Sequence, residues 1–222
     1  MSLQAELDAF REAFIRTAPP GRAELYDAKV DALRLTFPIE AALKEGDLAP
    51  DFALPDASGM PVALSDRLRA GPVVLIFYRG GWCPYCNLQL RAYQHALDEI
   101  TALGGQLLAV SPQLPDGSLS TAEMNKLSFG VLSDVSNRVA KTFGLVYALP
   151  DELRAALRSN GKALPGINGD DSWELPLPAT YVIAPDRSIV LAAVELDYRE
   201  RQAPEGVVAA LRSLASHATQ AA

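Results

Sequence analysis

The spacing of apolar positions divides the chain into two textures. Residues 3–17 and about 22–43 place apolar side chains three and four apart, the pattern of helices with one buried face, and Pro19-Pro20-Gly21 separates the two runs. Phe10, Phe14, Leu25, Val30, Leu33 and Leu35 are expected to supply the buried faces. From Gly46 the pattern shortens. Asp51-Phe52-Ala53-Leu54 and Pro61-Val62-Ala63-Leu64 flank a turn at Asp56-Ala57-Ser58-Gly59, a hairpin signal. Pro72 to Tyr78 is continuously apolar and rich in β-branched residues, as expected of a strand buried on both faces. Asn87 to Leu97 returns to helical spacing, and the predicted helix runs to about Leu103, where Gly104-Gly105 ends it.

Gln106–Ser111 reads as a second buried strand. Helices are predicted at about 118–128 and 134–143, around a short strand near Phe129–Leu132, with a third near 150–159. Residues 160–172 read as a turn-rich loop, and Ala179–Ile183 and Ser188–Val194 as strands joined through Pro185-Asp186-Arg187. A last helix covers about 204–217. Alternating β-α-β followed by a hairpin and a helix implies a mixed sheet covered by helices. The expected organisation is an N-terminal helical extension, residues 1–45, and one α/β domain, residues 46–218, without internal repeats.

Composition narrows the function. The 222 residues, 49% of them apolar, suffice for one substantial core, and a net charge of −7 argues against nucleic acid or an anionic membrane as partner. No apolar run reaches the roughly 20 residues that span a bilayer. The acidic start, Met1 to Asp8, lacks the basic flank and apolar stretch of a secretion signal, so a cytoplasmic location is expected.

The only two cysteines stand in Cys83-Pro84-Tyr85-Cys86, where the apolar strand meets the helical run. Pro84 suits a first helical turn, where its missing N–H costs little. Thiols at that position face the positive end of the helix dipole, which favours a thiolate. Cys83, ahead of the helix, is expected to be the more exposed and the attacking sulfur. Cys86, one turn in, is the shielded partner. In a cytosolic protein such a pair more often cycles between thiol and disulfide than it braces a fold. Zinc is disfavoured, since it takes about four ligands and only His95 and His217 could join the cysteines. No metal or other cofactor is expected.

Phe77-Tyr78-Arg79-Gly80-Gly81-Trp82-Cys83-Pro84-Tyr85-Cys86 resembles the active-site turn of the thioredoxin superfamily. The surroundings are similar to one branch, the alkyl hydroperoxide reductase and thiol-specific antioxidant, or peroxiredoxin-like, proteins. The similar segments are Gly46 to Asp56 with Val62 to Asp66, Phe129 to Asp134 with Val139 to Gly144, and Pro178-Ala179-Thr180-Tyr181-Val182-Ile183. The resemblance covers about residues 46–215 and leaves the first forty-odd residues aside. It implies a thioredoxin-like fold and a peroxidase that reduces hydrogen peroxide or organic hydroperoxides. In such an enzyme Cys83 becomes a sulfenic acid, Cys86 closes onto it as a disulfide, and a thioredoxin-like reductant restores both thiols. Dimerisation is compatible with the fold, the N-terminal helices being the candidate surface.

The chain also departs from that branch. Typical peroxiredoxins carry a proline seven residues and a threonine or serine three residues before the attacking cysteine, where this chain has Ile76 and Gly80. Their arginine ahead of the later strand is replaced by Pro178. Trp82 and Pro178 are what thioredoxin-type oxidoreductases have instead, so exchange with protein disulfides is a second reading and a non-catalytic interaction module a third. Arg79 is the candidate to stabilise the thiolate or peroxide, or else a solvated surface group. Trp82 is expected at the rim of the site. The resemblance implies a cis peptide bond at Pro178, facing the disulfide, although a proline opening a strand also serves as an edge or turn device. Thr180 is either a donor near the sulfur or a β-branched core residue. Tyr85 reads as a spacer and His95 as a helix-surface residue.

Overall fold

The computed structural model describes the backbone of residues 2–220 and side chains to Ser216, so the side chain of His217 lies outside the described residues. In chain order the elements are α1 (Leu3–Thr17), α2 (Arg22–Thr36), β1 (Ala53–Pro55), β2 (Pro61–Ala63), α3 (Leu64–Leu68), β3 (Val73–Phe77), α4 (Pro84–His95) and α5 (Leu97–Ala102). Then follow β4 (Gln106–Ser111), α6 (Pro115–Asn125), β5 (Gly130–Ser133), α7 (Arg138–Thr142), β6 (Val146–Ala148), α8 (Asp151–Ser159) and α9 (Leu164–Asn168). The chain ends with β7 (Glu174–Pro176), β8 (Ala179–Ile183), β9 (Ile189–Val194) and α10 (Pro204–Gln220).

The central sheet has the order β5-β4-β3-β8-β9. β3, β4 and β5 run parallel, while β8 lies antiparallel to both β3 and β9. Strand residues alternate between two cores. Val73, Leu75 and Phe77 face one way, with Tyr181 and Phe143, beneath the β1-β2 hairpin and α3. Val74 and Ile76 face the other way, against Tyr93, Ile100, Val207 and Leu211 of α4, α5 and α10. Burial on both faces explains why this strand reads as an unbroken apolar run.

The N-terminal helices form a hairpin turned at Gly21, whose φ of 77° is left-handed. α1 packs on α4, and Leu3 and Leu7 share a cluster with Cys83, Tyr85, Cys86 and Leu90. The second helix is shorter than its pattern predicts. It stops at Thr36 because Pro38 disfavours helical geometry at Phe37, and a single 3₁₀ turn follows at Ile39–Ala41. Leu35, expected in the buried face, is 88% exposed instead. The loop expected over 160–172 contains α9, and β6 and β7 pair as a separate small sheet that the pattern does not announce.

Candidate active site

The chain leaves β3 and turns through Arg79-Gly80-Gly81-Trp82 into Cys83, the residue that caps α4, with Pro84 in the first helical turn. Two glycines make that turn possible. Gly80 has φ +136°, and a β-carbon there would meet Trp82 Nε1 at 2.5 Å. At Gly81 a β-carbon would overlap Thr121 Oγ1. Side-chain bonds fix the turn further. The Gly81 N–H donates to Gln113 Oε1 at 2.6 Å, and Asn87 Nδ2 donates to the Gly81 carbonyl at 2.8 Å.

Both cysteines are free thiols and both are buried, Cys83 at 1% and Cys86 at 0% exposure. The expectation of an exposed Cys83 is therefore corrected. The physical reason is the N-terminal hairpin. α1 lies over α4, and Phe10 meets the Tyr85 ring edge-on at 5.0 Å, closing the turn from outside.

Two buried arginines face the sulfurs. Arg79 Nη1 lies 4.0 Å from Cys83 Sγ, and Arg201 Nη2 lies 3.4 Å from Cys86 Sγ. Among the described residues neither guanidinium forms an ion pair with a carboxylate, and both Nε atoms lack a hydrogen-bond partner. Arg79 is held instead between aromatic faces, 4.2 Å from the Tyr198 ring centroid and 5.0 Å from that of Trp82. Burial by itself would push the Cys83 thiol up, but a hydrogen bond from Cys86 and the charges of Arg79 and Arg201 hold it well below the ordinary thiol range. Burial and the adjacent Cys83 push Cys86 well up. Of the two sulfurs, Cys83 is therefore the more readily ionised.

A cavity of about 440 Å³ opens onto Cys83. Arg79, Trp82, Pro84, Tyr85, Tyr147 and Tyr198 line it near the sulfur. Phe10, Phe14, Tyr26, Val30 and Leu33 of the N-terminal hairpin line its far side.

Of the residues singled out from the sequence, the structure brings together Arg79, Trp82, Cys83 and Cys86. Thr180 is elsewhere engaged. It is buried in β8 opposite Ile76, and its Oγ1 accepts from Gln89 Nε2 at 3.2 Å, tying α4 to the sheet. Pro178 precedes β8 with its carbonyl accepting from the Glu195 N–H, and its peptide bond is trans, which corrects the expected cis geometry. It does not line the cavity. Tyr85, read as a spacer, does. His95 is on the exposed face of α4, as expected. Sequence reasoning missed Tyr147, Tyr198 and Arg201. The last two lie in the run Asp197-Tyr198-Arg199-Glu200-Arg201, whose density of charge between a strand and a helix was the available signal.

Comparison with known proteins gives a consistent picture. The family model described as AhpC/TSA matches residues 46–192. The chain is 35% identical to peroxiredoxin Bcp of Escherichia coli over 103 residues, 46% of this chain and 65% of that protein. It is 32% identical to the chloroplastic peroxiredoxin Q of Sedum lineare over 127 residues, 55% of this chain and 68% of that protein. Among solved structures, peroxidoxin BcpB of Mycobacterium tuberculosis superposes with a TM-score of 0.61 at 25% identity, covering 77% of this chain and 97% of that one. The match to the E. coli protein thus spans slightly less than two thirds of its length. The family match begins after α1 and α2, so the hairpin that covers the site lies outside it.

Proposed function

We propose that this chain, which belongs to the AhpC/TSA family, is a thiol-dependent peroxidase in which Cys83 attacks the hydroperoxide and Cys86 resolves the product. The observation that carries this reading is the place of the Cys83 sulfur, at the cap of α4 and 4.0 Å from a buried arginine that pairs with no carboxylate among the described residues. The Cys83 sulfur attacks the terminal oxygen of R–O–O–H. An S–O bond forms as the O–O bond breaks, and the departing alkoxide takes a proton from solvent and leaves as the alcohol. Sulfur is oxidised to the sulfenic acid by two electrons and the peroxide is reduced by two. The Cys86 thiol then displaces hydroxide from Cys83; hydroxide and the thiol proton leave as water, and the disulfide remains. A dithiol reductant of thioredoxin type returns both sulfurs to the reduced state by exchange.

Arg79 has two tasks in this scheme. It holds the thiolate, and its unpartnered Nε–H leaves a donor for the negative charge that builds on the leaving oxygen. Residues 1–45 act as an extension to the domain at 46–218, and a cytoplasmic setting, where thiols stay reduced, suits the cycle. Burial of Cys83 to 1% exposure favours a small or penetrating substrate over a folded protein disulfide. Stopped-flow oxidation of the reduced protein tests the proposal. The expected result is a second-order rate far above that of free cysteine thiolate, with one disulfide joining Cys83 to Cys86 by mass spectrometry. A rate no faster than the free thiolate overturns it.

A further inference from the structure

The N-terminal hairpin does more than cover the cysteines. At about 440 Å³ the cavity holds the volume of roughly fifteen waters, at about 30 Å³ each in the liquid. Hydrogen peroxide would leave most of that space unfilled. The lining is predominantly aromatic and aliphatic, the character of a pocket that encloses an apolar ligand. Its far wall comes from Phe10 and Phe14 of α1 and Val30 and Leu33 of α2. Phe14 stacks on Tyr26 with ring centroids 5.7 Å apart, and Tyr26 meets Tyr198 edge-on at 6.5 Å. One aromatic series therefore runs from the hairpin to the ring that cradles Arg79.

The wall is fastened in place. Asp27 of α2 pairs with Arg199, Arg199 with the buried Asp197 at 2.7 Å, and Arg34 with Asp197 at 3.5 Å. On the other side Lys29 pairs with Glu152 at 2.6 Å, which occupies one of the few cations of the cavity.

We propose that α1 and α2 form the substrate-selecting wall of this site, and that the cavity takes organic hydroperoxides with a bulky apolar body in preference to hydrogen peroxide. The proposal rests on the peroxidase reading above and names the substrate class for it. The hydroperoxide end reaches Cys83 and Arg79, while the apolar body lies against Phe14, Val30 and Leu33.

The test compares cumene hydroperoxide with hydrogen peroxide on the reduced full-length protein, read as the ratio of their second-order rates with Cys83. A second arm measures binding of cumyl alcohol, the unreactive product, through tryptophan fluorescence. Wild type is expected to favour cumene hydroperoxide and to bind the alcohol saturably. Leu33→Trp, which fills the cavity, should lower the rate ratio and weaken alcohol binding about tenfold or more. Phe14→Ala, which opens the wall, should lower the ratio in the same direction, and it decides the matter if Leu33→Trp does not fold. A wild-type ratio at or below one, or a ratio that neither variant changes, overturns the selecting wall while leaving the peroxidase intact. If neither peroxide oxidises Cys83 faster than a free thiol, the peroxidase reading falls and the substrate assignment falls with it. Alcohol binding that Leu33→Trp leaves unaltered also overturns the proposed wall.

Discussion

Replacing Arg79 with methionine removes the charge beside Cys83 while keeping much of the side chain's length and apolar stem. The guanidinium lies 4.0 Å from the sulfur. Two unit charges at that distance attract by about 4 kcal/mol at an effective dielectric of about 20, and by about 1 kcal/mol in bulk water. The cavity admits solvent on one side and protein encloses the other, so a loss of about 2 kcal/mol lies within that range. With roughly 1.4 kcal/mol per factor of ten, the peroxide reaction of Arg79→Met at neutral pH should slow by on the order of 10- to 100-fold. The assay is stopped-flow oxidation across pH, with thiolate absorbance recorded in parallel. Wild type, whose Cys83 is held well below the ordinary thiol range, should reach its plateau rate at a lower pH than the variant. The variant should speed up as pH rises through neutrality. Any gap that persists in alkali measures help to the leaving oxygen beyond ionisation. The same ionisation bears on folding. A depressed folded-state value contributes stability that is full above the unfolded thiol's pKa of about 8.5 and is lost as pH falls through the lowered Cys83 value. Arg79→Met should flatten that slope. An Arg79→Met protein with the wild-type pH–rate profile refutes the assignment of Arg79 as the thiolate's counter-charge.

Four further expectations can be checked directly. Cys86→Ser should stop the cycle at the sulfenic acid, so that dimedone labels Cys83 after one equivalent of peroxide; no labelling, with peroxide still consumed, would remove Cys83 as the attacking residue. Gly81→Ala should cost about 1–3 kcal/mol in denaturant unfolding, because its β-carbon would overlap Thr121 Oγ1, and Thr121→Ala in the same chain should recover part of the loss. Asp197→Ala leaves the half-buried Arg199 with Asp27 alone and should cost about 1–2 kcal/mol, with wild-type stability itself declining in acid as pH falls through the lowered Asp197 value; an unchanged unfolding midpoint would show the pair to be dispensable. Oxidation to the disulfide removes the anion that Arg79 and Arg201 face, so the reduction potential should lie above thioredoxin's, about −270 mV, and a lower value in a glutathione titration would contradict that account.

The sheet was legible because its strands are buried on both faces. Val73–Phe77 is an unbroken apolar run and β4 carries one at Leu107–Val110, both too short for a helix to compete. The cysteine turn was legible for a local reason, since a strand, two glycines, a proline and a helix occupy adjacent positions. What escaped depends on distance along the chain. β6 and β7 are three residues each and pair only with one another, which leaves too little periodicity to detect. Arg201 reaches Cys86 across 115 positions, and nothing in its neighbours says where its side chain goes. The burial of Cys83 could not be read from the turn either. It follows from α1, whose apolar face looks the same whether it packs on this domain or on another molecule.

The departures from the usual family pattern become intelligible as one arrangement. The arginine that such proteins carry ahead of the later strand is Pro178 here, and the cation instead arrives four residues before Cys83, at Arg79. Gly80 stands where a threonine or serine is typical, and its missing side chain leaves the space that the Trp82 indole fills. Trp82 and Tyr198 then each present a ring face to the Arg79 guanidinium. Aromatic faces orient a guanidinium without neutralising it, each contact contributing about 0.5–2 kcal/mol, whereas a carboxylate at the same place would compete with the thiolate for the charge. Tyr198 keeps its position because the segment behind it is bound to α2 through Asp27, Arg199 and Asp197. A helical hairpin outside the family-matched region thereby helps to position the arginine beside a sulfur inside it, and the charge network at 197–201 links the two.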